Sequence, residues 1–222
     1  MVESQSWNWA RVSEEYWWEP AEQVYYLAAR WQRAGYRRFL DLGCGVGRHA
    51  LFMAGHGFTV DALDLSPSGV DELKRTAQER RLPIRAQVSD MLSLPYPDAA
   101  FDCLLAFHVI FHSDRAGVER TVAEIERVLA PGGEAYLTFN SLSNDTFHNP
   151  RNPHIGPNTV MKTEGGEAGI PHYGVDEAEV RRLLQGFQFI RLTHAEEVWP
   201  EMQDGVEREH RSWHYFVLVR KP

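Results

Sequence analysis

Lysine is nearly absent from this chain: Lys74, Lys162 and Lys221 are the only three in 222 residues. With arginine the basic total is 23 against 31 acidic residues, a formal charge of −8. No Lys/Arg cluster offsets that balance, so non-specific attraction to nucleic acid or anionic lipid is disfavoured. Cysteine is scarce as well. Cys44 and Cys103 are the only two, one in a glycine turn and one in an apolar run, which is not a disulfide framework. No apolar run approaches the ~18 residues of a membrane helix. No signal-peptide pattern opens the chain, and no internal repeat or low-complexity tract divides it. What is present is 43% hydrophobic residues, enough for a sheet buried on both faces and too many for disorder. The expectation is one soluble, cytoplasmic domain with no nucleic-acid or membrane partner.

Glycine is concentrated where it can serve a ligand. Tyr36, Phe39, Leu40 and Leu42 lead into Gly43, Gly45 and Gly47, and a helix-like stretch from Arg48 to Ala54 follows. A strand, a tight turn and a helix N-terminus in that order bring bare backbone close to a nucleotide. A dinucleotide fingerprint, G-x-G-x-x-G, would carry glycine where Arg48 stands. The next apolar run, Phe58 to Leu65, ends on Asp64, 21 residues after Gly43. That is about where a ribose-binding carboxylate is expected in a βαβ unit, since an ionised carboxylate can accept from both hydroxyls. Three more strands follow: Ile84–Val88 into Ser89-Asp90-Met91, Phe101–Phe107 into His108 through His112, and Glu134–Asn140 after Arg127-Val128-Leu129-Ala130-Pro131-Gly132-Gly133.

This succession, over residues 36–140, resembles the class I S-adenosylmethionine (SAM)-dependent methyltransferases. The resemblance implies an α/β fold, a three-layer Rossmann-like sandwich. Its seven-stranded, mostly parallel sheet would run in the order 3-2-1-4-5-7-6 with helices on both faces. It also implies SAM as cofactor. Asp41, Gly43, Gly45 and Gly47 would hold the methionine moiety, Asp64 the ribose, and Asp90 with Met91 the adenine. Cys44, Arg48, Leu65, Ser66 and Phe107 adjoin those positions and complete the expected cofactor contacts. The implied reaction is in-line transfer of a methyl group to O, N or S of a small-molecule acceptor. Two alternatives stay open: a nicotinamide-dependent oxidoreductase on a similar sheet, and a non-catalytic SAM-binding module.

Helix signals fill the gaps. Ser66-Pro67 caps a segment with Val70, Leu73 and Ala77; Ser113 or Asp114 caps one with Val118, Val122, Ile125 and Leu129; Asp176-x-x-Glu179 reads as a capping box. Gln188–Val198 and Trp213–Val219 read as two last strands, an antiparallel hairpin by the resemblance. The expected divisions within the domain are an N-terminal lid and helix (1–35), a SAM-binding core (36–140), a substrate-side insertion (141–175), and a last helix with hairpin (176–222). Five of the seven tryptophans fall within the first 31 residues. Trp31 shares a helical face with Val24, Leu27 and Ala28, while Tyr16, Trp17 and Trp18 precede that helix. Trp17 is a candidate cover for the cofactor, because an aromatic face near a sulfonium gains cation–π attraction.

The insertion, rich in Asn, Gly, Pro and His, reads as a substrate-facing loop. Its His148, His154 and His172, with Asp145 nearby, match no zinc spacing, so no metal is expected. His108 and His112 follow strand four where the reactive methyl should lie; they are the only candidates for a general base, and four apart they could also read as a ligand pair, though no third ligand can be named. Methyl transfer does not itself demand one, since alignment and exclusion of water can carry much of the rate.

Overall fold

The computed structural model describes residues 5–7, 9, 18–165, 167–203 and 206–222. Tyr16 and Trp17 lie outside the described residues. A helix α1 (Glu22–Arg33) buries Val24, Leu27, Ala28 and Trp31, the stripe that its sequence period marks. Five parallel strands follow: β1 (Arg38–Leu42), β2 (Thr59–Asp64), β3 (Ile84–Val88), β4 (Phe101–Ala106) and β5 (Leu129–Ser141). They are linked by α2 (Arg48–Gly55), α3 (Pro67–Glu79) and, before β5, α4 (Arg115–Val128). Ser66 caps α3 through the Gly69 N–H, and Asp114 caps α4 through the Gly117 N–H.

The last helix, α5 (Glu177–Leu183), is capped by Asp176. A long hairpin of β9 (Gln188–Gln203) and β10 (Val206–Arg220) closes the sheet, with β10 antiparallel to β5. The main sheet therefore runs β3-β2-β1-β4-β5-β10-β9. Counting β9 and β10 as sixth and seventh strands, that is the expected order. Both hairpin strands extend further than their apolar runs, because Val206 to Arg211 pair with Val198 to Gln203 beyond the sheet.

Two features depart from the sequence reading. β5 starts at Leu129, where Leu129 pairs with Phe101 before the register slips to Glu134 opposite Cys103. The Pro131-Gly132-Gly133 turn fills the slip, with Gly132 at φ 76°. The insertion is not an unstructured loop. It holds β6 (His154–Gly156), β7 (Thr159–Met161) and β8 (Pro171–Val175), antiparallel to one another. β8 then runs parallel to the end of β5, Gly174 opposite Asn140 and Val175 opposite Ser141. The physical reason is pairing: β5 overruns its neighbours, and its buried backbone groups need partners. Short strands of three residues give no readable alternation, so composition alone suggested a loop.

The core lies on both faces of the sheet. Leu40, Leu42, Leu104, Ile125, Leu137 and Val217 pack on one side, and Leu27, Trp31, Phe39, Met53, Leu105 and Phe216 on the other. Alternate residues of the same strands divide between the two faces. Among the described residues no helix is long and apolar enough to cross a membrane.

Candidate functional site

The three loop glycines adopt φ of 71°, 53° and 89°, left-handed values that a Cβ disfavours. Space excludes a side chain too. A Cβ on Gly43 would stand 2.3 Å from Val109, one on Gly45 2.2 Å from Trp9, and one on Gly47 2.3 Å from Leu73. The turn is fastened to β2, since the Gly43 and Cys44 N–H groups both donate to the Leu63 carbonyl at 2.8 and 3.0 Å. Asp64 adds a second tie, accepting from Gly45 N and from Ser66 N at 2.8 Å each. Burial pushes the Asp64 carboxyl up, and those backbone donors pull it back.

At the carboxyl ends of β1 to β4 lies a cavity. Open α/β sheets bind ligands at this edge. Ten of the sequence candidates stand on its wall: Gly43, Cys44, Arg48, Asp64, Leu65, Asp90, Met91, Phe107, His108 and His112. Asp90 also steadies its own turn by accepting from Leu92 N at 2.9 Å. The Arg48 guanidinium lies 5.6 Å from the centre of the Phe107 ring.

Four candidates stand behind the wall instead. Ser66 is turned inward as the cap of α3, Gly47 faces Leu73, and Gly45 is covered by Trp9. Asp41 is buried beneath the turn. Burial raises its carboxyl to about 7, against the pull of the Ala50 N–H and of Arg48. Its Oδ2 has no hydrogen-bond partner. An orphaned buried carboxylate oxygen under a glycine turn suits a ligand that carries positive charge, and SAM carries an ammonium and a sulfonium. The apolar side chains of Leu65 and Met91 beside Asp64 and Asp90 suit a purine on a ribose.

Trp7 and Trp9 also line the cavity, their rings stacked 5.4 Å apart. Both belong to the aromatic N-terminus, but nothing in their spacing singled them out from Trp17 or Trp18. Val109 and Ile170 also stand on the wall, Ile170 from the insertion, so that segment does reach the cavity. The buried thiols of Cys44 and Cys103 are both pushed up by desolvation and are not paired with each other.

His108 and His112 each meet a carboxylate from a distant strand or loop. His108 sits at φ 53°, a strained value for a non-glycine residue. Its Nε2 lies 3.1 Å from Glu197, which also lies 3.0 Å from His214. Burial, followed by His214, lowers the His108 imidazole to about 4. His112 lies 3.2 Å from Glu167, as does His172. His148 and His154, by contrast, are exposed and join neither histidine–glutamate cluster. Sequence reading missed Glu167, Glu197 and His214, which lie 55 to 106 residues from His112 and His108 and form no spacing signature with them.

Residues 40–137 match the family model described as a methyltransferase domain. A demethylmenaquinone methyltransferase of Thermus thermophilus is 38% identical over 100 residues, 44% of this chain and 44% of that protein. The S-adenosyl-L-methionine-dependent Diels-Alderase iccD of Talaromyces variabilis is 30% identical over 138 residues, 60% of this chain and 46% of that protein. The chain thus spans under half the length of these curated relatives. In fold it resembles TehB from Haemophilus influenzae with a TM-score of 0.69 and 16% identity, covering 91% of this chain and 63% of that one.

Proposed function

From a chain whose residues 40–137 match the methyltransferase-domain model, we propose an enzyme of the class I SAM-dependent type that transfers the methyl group of SAM to a small-molecule acceptor. One observation carries the reading. A single cavity gathers the glycine turn, Asp64, Asp90 with Met91, and the Phe107–His112 segment, each delivered by a different strand end.

When bound, SAM supplies an electrophilic methyl on a sulfonium with a neutral thioether leaving group. The chain's own part is to bind, orient and exclude water. Asp64 would accept from the ribose hydroxyls while its backbone donors, Gly45 N and Ser66 N, hold it still. Asp90 would accept from the adenine amino group, and Leu65 and Met91 would cover the ring. The turn backbone would face the methionine end, with the Asp41 carboxyl beneath it, and Trp7 and Trp9 line the cavity. His108 and His112 border the acceptor side, where a neutral imidazole can take a proton from a hydroxyl or thiol nucleophile. The acidic surface and the three lysines favour a metabolite over a nucleic acid as acceptor.

Calorimetry with SAM, S-adenosylhomocysteine and NADH in parallel tests the reading. Micromolar binding of the first two is expected, weakened about 30-fold or more in Asp64→Ala, since each hydrogen bond to a charged group is worth about 1.5–3 kcal/mol. NADH binding alone would establish the oxidoreductase alternative. Because one relative carries the name of a Diels-Alderase, binding must be followed by transfer of a labelled methyl group to acceptor candidates.

A further inference from the structure

Two clusters of histidine and glutamate flank Phe111, and only one histidine of each borders the cofactor cavity. The first joins His108, Glu197 and His214. His214 on β10 pairs with Ala195 of β9, and Glu197 pairs with Ser212, so Glu197 and His214 are diagonal neighbours on one face of the hairpin. His108 reaches them from the turn after β4, where its left-handed backbone aims the ring. The two imidazoles stack at 4.2 Å and 22°, so their ring nitrogens lie side by side instead of facing each other.

His108 Nε2 and His214 Nδ1 approach the same atom, Glu197 Oε2, at 3.1 and 3.0 Å. All three atoms are buried, yet none makes a hydrogen bond. The separations are short enough, but the ring N–H directions miss the oxygen. Buried polar atoms left without hydrogen bonds are costly, and here three converge on one point. Their spacing fits an ion. Metal–ligand bonds of about 2.0–2.1 Å at octahedral or tetrahedral angles separate the ligand atoms by about 2.9–3.4 Å. We propose that His108, Glu197 and His214 bind a divalent first-row transition-metal ion, a two-histidine, one-carboxylate set typical of zinc or non-haem iron(II) sites with open coordination positions.

The second cluster, His112, Glu167 and His172, is a weaker host. Lys162 Nζ lies 2.6 Å from Glu167 Oε2, so an ammonium already neutralises that carboxylate. Around the first cluster three phenylalanine rings pack instead, and the nearby cation, Arg48, lies over the Phe107 ring at 5.6 Å. Phe107 stacks on His108 at 4.3 Å, and Phe111 and Phe216 flank His214 at 5.8 and 6.0 Å. A dry shell strengthens the pull of three ligands on a cation. Glu197 also borders a second recess beside the start of α1, which gives an ion an entry path. His108 stands on the wall of the cofactor cavity. If methyl transfer is the activity, an acceptor whose hydroxyl or thiol can coordinate and ionise is the class such an ion would take. That last step rests on the methyl-transfer reading; metal binding does not.

The test is metal analysis of the full chain, purified without a histidine tag or chelator, followed by titration of the stripped protein with Zn²⁺, Co²⁺ and anaerobic Fe²⁺. About one ion per chain is expected, with affinity lowered 100-fold or more in Glu197→Gln and in His214→Gln, and kept in Glu167→Gln. Circular dichroism checks each variant. Should both hairpin variants unfold, the visible bands of Co²⁺ on the wild-type chain decide between nitrogen-ligated and aqueous cobalt. Absence of saturable binding by the wild type, or loss of the ion in Glu167→Gln instead, would overturn the assignment. SAM calorimetry on the same sample separates the two readings: an ion without SAM binding removes the methyltransferase reading alone, and SAM binding without an ion removes the metal site alone.

Discussion

Asp41 is the residue whose chemistry is least like that of its free side chain. Its carboxyl titrates near 7 because it is fully desolvated. An acid whose folded pKa lies above its unfolded value keeps a proton that the unfolded chain has already lost. Its contribution to stability is therefore greatest below pH 4 and falls as pH rises toward about 7, then levels off. The loss is on the order of 4 kcal/mol. Asp41→Asn should flatten that slope between pH 5 and 8 in urea denaturation, and an unchanged slope would mean that another group sets it. The ligand side has the opposite sign. A cationic ligand favours ionised Asp41, so SAM affinity should rise from pH 6 to 8 with proton release. Calorimetry in two buffers of different ionisation enthalpy detects that proton, and Asp41→Asn should abolish it.

At the scale of elements, the packing of α1 on the sheet depends on Glu134. Its carboxylate is almost fully buried at the start of the regular part of β5. It accepts from Arg30 Nε and Nη2 at 2.8 Å, Trp31 Nε1 at 2.9 Å and Arg220 Nη2 at 2.8 Å. Burial raises this carboxyl, but the two guanidiniums and the indole outweigh it and hold it low. Glu134→Ala leaves Trp31 N–H unpaired in the core, while Arg30 and Arg220 can still reach water. The expected loss is about 2–4 kcal/mol, read as a lower urea midpoint with α1 loosened in hydrogen exchange. Glu134→Gln should recover about half. The sequence showed α1 clearly, through the Val24, Leu27, Ala28 and Trp31 stripe, and each parallel strand through its apolar run. It did not show Glu134 as the clamp, because an acid that opens a strand after Pro-Gly-Gly gives no sign of the Arg30, Trp31 and Arg220 donors that reach it from elsewhere in the chain. The insertion strands were hidden for a related reason: β6, β7 and β8 are defined by the partners they meet, and three to five residues carry no period of their own.

For the whole molecule the same contrast separates the cofactor wall from the acceptor side. Gly43, Asp64, Asp90 and Phe107 sit at ends of successive strands, so local pattern placed them. Glu197, His214, Glu167, Trp7 and Trp9 reach the site only through the closing hairpin, the insertion and the N-terminus, and no local spacing announces them. Trp9 joins the N-terminus to the core, filling the space that Cβ atoms on Gly45 and Gly69 would occupy. It therefore ties cofactor binding to global stability. SAM at 100 times its Kd should add about 2.7 kcal/mol, a rise in Tm of about 5–10 °C for a domain of this size. Trp9→Ala removes aromatic cover worth about 1–2 kcal/mol at the ligand. The variant should keep the ligand-free Tm within a few degrees, bind SAM about 5- to 30-fold more weakly, and show a correspondingly smaller thermal gain at fixed SAM concentration. Equal SAM affinity in wild type and variant, by calorimetry, would show that the indole only packs against the turn and that the N-terminus does not close over the cofactor.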